Sequence, residues 1–339
     1  MLVTCAGILV ADIIASGLPK VSGPGEVVFT DRPIELHIGG HAANVSVDLL
    51  KLGLEKGTVS AIGAIGNDIF GTYIKEILER YGVVCHLQNI GSSGTSKDMI
   101  LVVKGEDRRY HVDIGANWYL DQNHVQKFLL KEKPKIFYLG GAGLLGSLDE
   151  NLSEILKFAK DIECLTFLDP VAPYRHDWRI FVPALEWTDI FHCNNIEAEK
   201  ITGKINPVEA AQRLLKWGTK LVLISLGAKG LIASLKRRTI KMPAFKVPVV
   251  DPTGAGDALC SGFIYGLAKK VMVRRELISL EDIDDESLLD IMLEGEAAGA
   301  ACVTMVGTTT GVSREKVDKI LKEQRIDIIN QTQFEICTS

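Results

Sequence analysis

Apolar, β-branched runs alternate along this chain with segments whose apolar residues recur at helical spacing. That alternation narrows the available folds more than any other feature. Strands are expected at Val3–Val10, Thr58–Ile62, Ile136–Leu139, Leu165–Leu168, Ile190–His192 and Leu221–Ser225. Helices are expected at Ala42–Leu52, Phe70–Tyr81, Glu150–Lys160, Ile196–Ile201, Pro207–Trp217, Ala255–Met272 and Leu288–Thr304. Strand, helix, strand in succession implies parallel strands with crossover helices on both faces: an α/β three-layer sandwich with a mostly parallel central sheet. Ligands of such folds bind at the carboxyl ends of the strands. The apolar runs themselves need no functional explanation, because parallel strands are buried on both faces.

Two stretches, about 13–38 and 94–113, depart from this pattern. Gly25 to Ile38 and Gly94 to Asp113 lack helical periodicity and include alternating residues such as Met99-Ile100-Leu101-Val102-Val103. The second is expected to fold as a hairpin turning at Lys104-Gly105-Glu106-Asp107. Together they are expected to form a small β-sheet lid inserted in a single domain, residues 1–339. A lid would exclude water from the site it covers, while an immobile antiparallel extension is the structural alternative.

The sharpest chemical signal is Asp251-Pro252-Thr253-Gly254-Ala255-Gly256-Asp257, lying between an extended segment, Phe245 to Val250, and a helix. Small residues at a helix start leave backbone N–H groups free at the positive end of the dipole, a place for phosphate. A carboxylate in such a cradle repels an anion unless it has work there. The work that fits Asp257 is general-base catalysis on a hydroxyl attacking phosphorus. Capping of the helix is the alternative for Asp257 taken alone.

The chain has 339 residues, 47% hydrophobic and 24% charged, with formal net charge −5, ordinary values for a globular protein with a large core. Without clustered cations, nucleic acid is not an expected partner. The acidic stretch Glu281 to Glu286 reads as a solvated loop leading into a helix. Seven cysteines (5, 85, 164, 193, 260, 302, 337) and seven histidines show no metal-ligand spacing, so reduced thiols and a cytoplasmic setting are expected. Met1 to Pro19 lacks a basic leader, and no run is long and apolar enough to span a membrane.

The heptad, continuing into Ala258-Leu259-Cys260-Ser261-Gly262-Phe263, resembles the C-terminal signature of the ribokinase-like (PfkB) carbohydrate kinases. Gly39-Gly40-His41-Ala42-Ala43-Asn44, ending in Leu52-Gly53, resembles their N-terminal signature, and Asp12 their substrate-binding aspartate after the first strand. Asn194-Asn195-Ile196-Glu197 resembles their Asn-x-x-Glu element, and Ser225-Leu226-Gly227-Ala228-Lys229-Gly230 their nucleotide-side turn. The resemblance implies a ribokinase-like fold with a β-lid. It also implies transfer of the γ-phosphoryl group of ATP, with magnesium, to a hydroxymethyl of a small sugar or sugar-like alcohol. On this reading Asp257, Gly254, Ala255 and Gly256 are catalytic, and Asp12, Gly39, Gly40 and Asn44 hold the acceptor. Asn194, Ser225, Gly227 and Gly256 bind the nucleotide, and Glu197 reaches magnesium through water. Asp251 and Thr253, facing Ala301 to Gly307, match a potassium-binding loop. A second copy joined through the lid is an expected partner. A nucleoside is the alternative acceptor, and a non-catalytic sugar sensor a further alternative.

Several residues have structural alternatives. Asn194 and Glu197 suit a capping box, and that role is compatible with the functional one. Asp12 suits a turn before Ser16-Gly17, Gly39-Gly40 a plain turn, and Ser225 and Gly227 a strand end. Asp68 suits a helix start. Gly141-Ala142-Gly143-Leu144-Leu145-Gly146, with Asp169 about twenty residues on, satisfies the dinucleotide fingerprint and makes an NAD-dependent oxidoreductase the rival of another class. Against it, Ser147-Leu148-Asp149-Glu150 reads as a cap that starts the helix after the glycines. No lysine follows the last glycine, so a P-loop is excluded. Two departures from the kinase pattern stand out. Asp169-Pro170 lacks the following Asn, with Arg175 displaced, and Ala64 stands where a basic residue is frequent.

Overall fold

The computed structural model describes residues 1–106, 108–274, 280 and 282–336. Its strands are β1 (Val3–Gly7), β2 (Val10–Leu18), β3 (Ile34–Gly39), β4 (Val59–Gly66), β5 (Val84–Ile90), β6 (Lys97–Val103), β7 (Arg109–Asp113), β8 (Ile136–Ala142), β9 (Leu165–Pro170), β10 (Ile190–Asn194), β11 (Leu221–Ser225), β12 (Leu231–Leu235), β13 (Arg238–Met242) and β14 (Gln333–Ile336). Its α-helices are α1 (His41–Lys51), α2 (Ile69–Tyr81), α3 (Gln122–Glu132), α4 (Ser147–Glu150), α5 (Leu152–Asp161), α6 (Asn195–Thr202), α7 (Pro207–Lys216), α8 (Ala255–Arg274), α9 (Asp285–Cys302) and α10 (Arg314–Gln331).

The large sheet runs β14-β13-β12-β11-β10-β9-β8-β1-β4-β5, parallel from β11 to β5 and antiparallel from β11 to β14. Helices α1, α2, α8, α9 and α10 bury their apolar stripes against one face, and α3, α5, α6 and α7 against the other. This is the expected three-layer sandwich. Local signals set the helix ends. Asp68 caps α2 by accepting from Gly71 N–H, and left-handed Gly82 ends it. α8 is buried nearly all round, with no polar stripe, so it sits between α1 and α9 rather than at the surface.

The second sheet, β3-β2-β6-β7, is the expected lid. Register pairs Asp12 with His37 on one side and Asp98 on the other, so the three side chains share a face. Leu36, Ile13 and Met99 line up across the opposite face, where Leu36 and Met99 are exposed.

Several boundaries differ from expectation. The apolar run Val3–Val10 is two strands in different sheets, because the chain leaves the large sheet at Leu9. There the Asn117 side chain accepts from Leu9 N–H and donates to Leu9 C=O, both at 3.0 Å, in place of a strand neighbour. Asp12 therefore lies within a lid strand rather than in a turn after the first strand. The helix expected over Glu150–Lys160 is interrupted at Asn151. Ser147 caps nothing, since Gly146 holds the N-cap position. α3 and α10 carry apolar stripes too narrow to stand out, with Val125 and Leu129 buried in one and Val317, Ile320 and Ile328 in the other. The lid hairpin turns as expected, although Asp107 lies outside the described residues, as do Glu281 and Cys337. Asp284 begins the acidic helix by capping Ser287 N–H. The described cysteines are all free.

Candidate active site

The chain enters α8 through Gly254, in the left-handed region with φ 79°, where any Cβ would press to within 2.7 Å of the Thr308 carbonyl oxygen. At the start of α8 the Ala255 N–H makes a 3.3 Å turn bond to the Pro252 carbonyl, while the Gly256 and Asp257 N–H groups precede the first intrahelical bond, Ala258 N–H to Gly254 C=O. Asp257 sits in that first turn, only 9% exposed. Asn44 Nδ2 of α1 donates to Asp257 Oδ2 at 2.7 Å, and Thr308 Oγ1 donates to Asn44 Oδ1 at 2.8 Å. His41 Nε2 stands 3.7 Å from Asp257 Oδ1. Burial raises the Asp257 carboxyl above the ordinary aspartate range, against the lowering influence of His41 and the Asn44 hydrogen bond.

Two cavities meet at this helix start, each of about 950 Å³. One lies beneath the lid and is lined by Asp12, Asn44, Asp98, Gly254 and Asp257. The other is lined by Asn194, Ser225, Gly227, Ala255 and Gly256. The residues expected on the acceptor side and those expected on the nucleotide side thus fall in separate cavities that share one helix N-terminus. Gly39 does not line either cavity. Its role is steric: a Cβ there would lie 2.1 Å from Asp12 Oδ2, so a glycine is what lets Asp12 take its place. Gly40 precedes α1 at φ 87° and lines the lid-side cavity.

Asp12 is 5% exposed, and burial together with Asp98, Asp257 and Asp251 drives its carboxyl well up. Asp98 accepts from His111 N–H at 3.1 Å, and its carboxyl is also raised by burial. Arg175, at φ 62°, faces the same cavity rather than the nucleotide side, over the rings of Tyr174 and Trp118. It contributes the one guanidinium or ammonium group among the described lining residues.

Asn194 caps α6 by accepting from Ile196 and Glu197 N–H, and Glu197 Oε2 accepts from Asn194 N–H at 2.8 Å, a complete capping box. Glu197 Oε1 has no hydrogen bond among the described residues, which leaves it available to an ordered water. Asp251 Oδ1 accepts from Thr253 N–H and Oγ1, and Oδ2 from Gly307 N–H, so the loop does meet the segment 301–307. Arg108, from the lid turn, donates to Thr253 Oγ1 at 2.7 Å and lies 3.7 Å from Asp251 Oδ1. A guanidinium therefore stands beside the oxygens expected to hold potassium.

The rival glycine motif has its amides in use. Gly143 N–H and Leu145 N–H both donate to Asp149 at 2.7 Å, and Leu144 alone of the motif lines the lid-side cavity. Burial brings the Asp149 carboxyl to about 6. Asp169 is buried, accepting from Tyr138 Oη at 2.7 Å and pairing with His192 Nδ1 at 2.8 Å, so it faces no ribose. Burial alone would raise Asp169 and lower His192, but their ion pair outweighs it and reverses both shifts. A pyrophosphate would have neither free amides nor a ribose acid here, and the dinucleotide reading falls.

Sequence reasoning missed Arg108, Asp98, His192 and Glu296. Alternation along Lys97–Val103 puts Asp98 on one lid face, yet only the pairing of β2 with β6 sets it beside Asp12. Nothing local marks the other three.

Residues 2–315 match the family model described as pfkB family carbohydrate kinase. The ribokinase of Haemophilus influenzae is 27% identical, over 91% of this chain and 94% of its own. The ATP-dependent 6-phosphofructokinase of Thermoanaerobacterium thermosaccharolyticum is 28% identical, over 71% of this chain and 76% of its own. The solved ribokinase of Giardia lamblia superposes with a TM-score of 0.81 at 21% identity, covering 94% of this chain and 99% of that one.

Proposed function

The chain belongs to the pfkB family of carbohydrate kinases, and from that premise we propose that it transfers the γ-phosphoryl group of ATP to a hydroxymethyl of a small sugar or sugar-like alcohol, with Asp257 as general base. The observation that carries this reading is the division of the α8 N-terminus. Gly254 and Asp257 line one cavity while Ala255 and Gly256 line the other. An acceptor hydroxyl in the first then meets a phosphate in the second across a single helical turn.

In the proposed reaction the acceptor oxygen attacks the γ-phosphorus, the bond to the β-phosphate oxygen breaks, and ADP leaves. Asp257 takes the hydroxyl proton. Asn44 holds the carboxylate so that Oδ1 remains toward the acceptor. Amides of the Gly254–Gly256 turn stabilise charge on the transferring group. Asp12, Gly40 and Asn44 orient the acceptor, and Gly39 makes room for Asp12. Asn194, Ser225 and Gly227 bind the nucleotide. Magnesium, reached from Glu197 through water, would offset phosphate charge. Residues 1–339 would act as one domain, with residues about 13–38 and 94–113 as its lid.

The acceptor cavity carries Asp12, Asp98 and Asp257 against Arg175, with Asp113 paired to Lys97, a carboxyl-rich lining that favours an uncharged polyol over a sugar phosphate. A nucleoside is the second reading, favoured by the Trp118, Tyr119 and Tyr174 rings in the same wall. An ADP-release screen across sugars and nucleosides, with and without magnesium, tests both. The kinase reading expects magnesium-dependent, acceptor-dependent ADP release, and its absence with every acceptor overturns it. The same screen in potassium and sodium salts at matched ionic strength tests Asp251 and Thr253. Equal turnover would assign that position to Arg108. Exposed Leu36 and Met99 on the outer lid face support a homodimer through the lid, and a monomer by sedimentation would remove it. No helix among the described residues is long and apolar enough to cross a membrane, and the free cysteines suit a reducing, cytoplasmic setting.

A further inference from the structure

The nucleotide-side cavity extends from Ser225 and Gly227 to a wall built by α8, α9 and α10, where Leu259, Gly299, Ala300 and Val303 supply apolar surface. Glu296 of α9 lies in that wall. It is 8% exposed and has no hydrogen bond or ion pair with any described residue, yet it lines the cavity. Its carboxyl oxygens are not among the fully enclosed unpartnered atoms, so they open into the cavity, and a ligand that displaces water there must meet them with matching polar groups or lose affinity.

The charged groups around it are engaged elsewhere or stand apart. On α8, Lys269 pairs with Glu294, and Lys270 donates to Ser287. Asp257, also on α8, is held by Asn44. On α9 itself Glu294 pairs with Arg314 of α10, and Asp290 pairs with Arg325 of α10. Arg108, Lys246 and Asp327 share the cavity without bonding Glu296, and β12 brings no charged residue. Burial by itself pushes the carboxyl up to about 8. Near neutral pH the group is therefore an uncharged acid with one O–H donor and one C=O acceptor side by side.

Resting on the kinase reading, we propose that Glu296 reads the Watson–Crick edge of the donor nucleotide's purine base. An uncharged carboxylic acid matches adenine, donating to N1 and accepting from the 6-amino group. An ionised carboxylate offers two acceptors and matches guanine, whose N1–H and 2-amino group both donate. The same side chain thus selects adenine when protonated and loses that selection when ionised. Glutamine, with a fixed N–H donor and C=O acceptor, imitates the protonated acid at every pH.

Calorimetric titration with ADP and with GDP, on wild type, Glu296→Gln and Glu296→Leu, at about pH 7 and about pH 9, tests this. Wild type is expected to prefer ADP at the lower pH and to lose roughly tenfold of that preference at the higher one. Glu296→Gln keeps the preference at both, and Glu296→Leu weakens ADP roughly tenfold or more with little discrimination left. A wild-type preference that is independent of pH and survives in Glu296→Leu overturns the assignment while leaving the kinase intact. Wild type that binds neither nucleotide overturns the assignment together with the kinase reading.

Discussion

Asn44 and Asp257, on helices α1 and α8, meet through a 2.7 Å hydrogen bond from Nδ2 to Oδ2. Asn44 Oδ1 lies 2.8 Å from Thr308 Oγ1, which is equally close to the Ile38 carbonyl oxygen, and it is the ionised carboxylate, an acceptor only, that commits the amide's Nδ2 donor to Asp257. Asp257 is thereby held in one orientation, with Oδ1 on the side of His41. In the proposed role of general base, a carboxylate fixed this way is ready for a hydroxyl presented from the lid side.

Asp257→Asn keeps the size of the side chain but removes proton acceptance. It is expected to lower kcat by roughly 10²–10⁴-fold with little change in acceptor KM. Asp12→Ala is expected to raise acceptor KM chiefly, leaving ATP KM near wild type, because it would remove binding shared by ground and transition states. Initial-rate kinetics with both substrates varied distinguish the two, and near-wild-type kcat in a folded Asp257→Asn enzyme refutes the mechanism.

The acid limb of the kcat/KM profile should fall above the ordinary aspartate value of about 3.9. The free-enzyme base works only when ionised, and burial raises Asp257. Activity is therefore absent below that raised value and gained as pH climbs through it. His41 favours the ionised form from 3.7 Å away, so His41→Gln is expected to move the limb to higher pH. A limb unmoved by that change would place the titrating group elsewhere.

Gly254 and Gly256 should respond differently to alanine. At Gly254 a Cβ meets Thr308 at 2.7 to 2.8 Å in a left-handed backbone, so Gly254→Ala is expected to lower the melting temperature and to disturb Asn44 through Thr308. The backbone cost alone is about 1–2 kcal/mol. At Gly256 the nearest atom to a Cβ is His192 Cε1 at 3.5 Å, an ordinary contact. Gly256→Ala should fold normally and lose turnover, because its methyl enters the nucleotide cavity. Thermal melts beside ATP-dependent rates check both, and unchanged ATP KM and kcat in Gly256→Ala would show that the nucleotide does not approach the backbone at Gly256.

Arg108 lines the nucleotide cavity from the lid while bonded to Thr253. Arg108→Ala is expected to raise ATP KM roughly ten- to hundredfold, the equivalent of one charge-assisted hydrogen bond. If wild type turns over equally in potassium and sodium salts, Arg108→Ala should also make the rate respond to potassium, by freeing Thr253 Oγ1 and the side of Asp251 Oδ1 that faces the guanidinium. Rates in potassium and sodium salts, with melting temperature as control, test this. An unchanged ATP KM would confine Arg108 to bracing the lid.

Features that rest on neighbours along the chain were legible in the order of the amino acids. The parallel strands were legible because burial on both faces demands continuous apolar runs, and the α8 cradle because small residues and Asp257 stand consecutively. Asn194 and Glu197 were legible as a capping box for the same reason, three residues apart on one turn. Features made by partners distant in sequence emerged with the fold. The run Val3–Val10 gave no sign of changing sheets, because both halves are equally apolar and the Asn117 side chain that ends the first strand lies over a hundred residues away. Asp12 joins Asp98 only through strand pairing, and Arg108 reaches Thr253 only because the lid folds over the site. Glu296 carries no local signal, and its burial comes from the packing of α9 between α8 and α10. Burial, charge proximity and cavity shape are sums over contacts from many segments, and no local pattern encodes such sums.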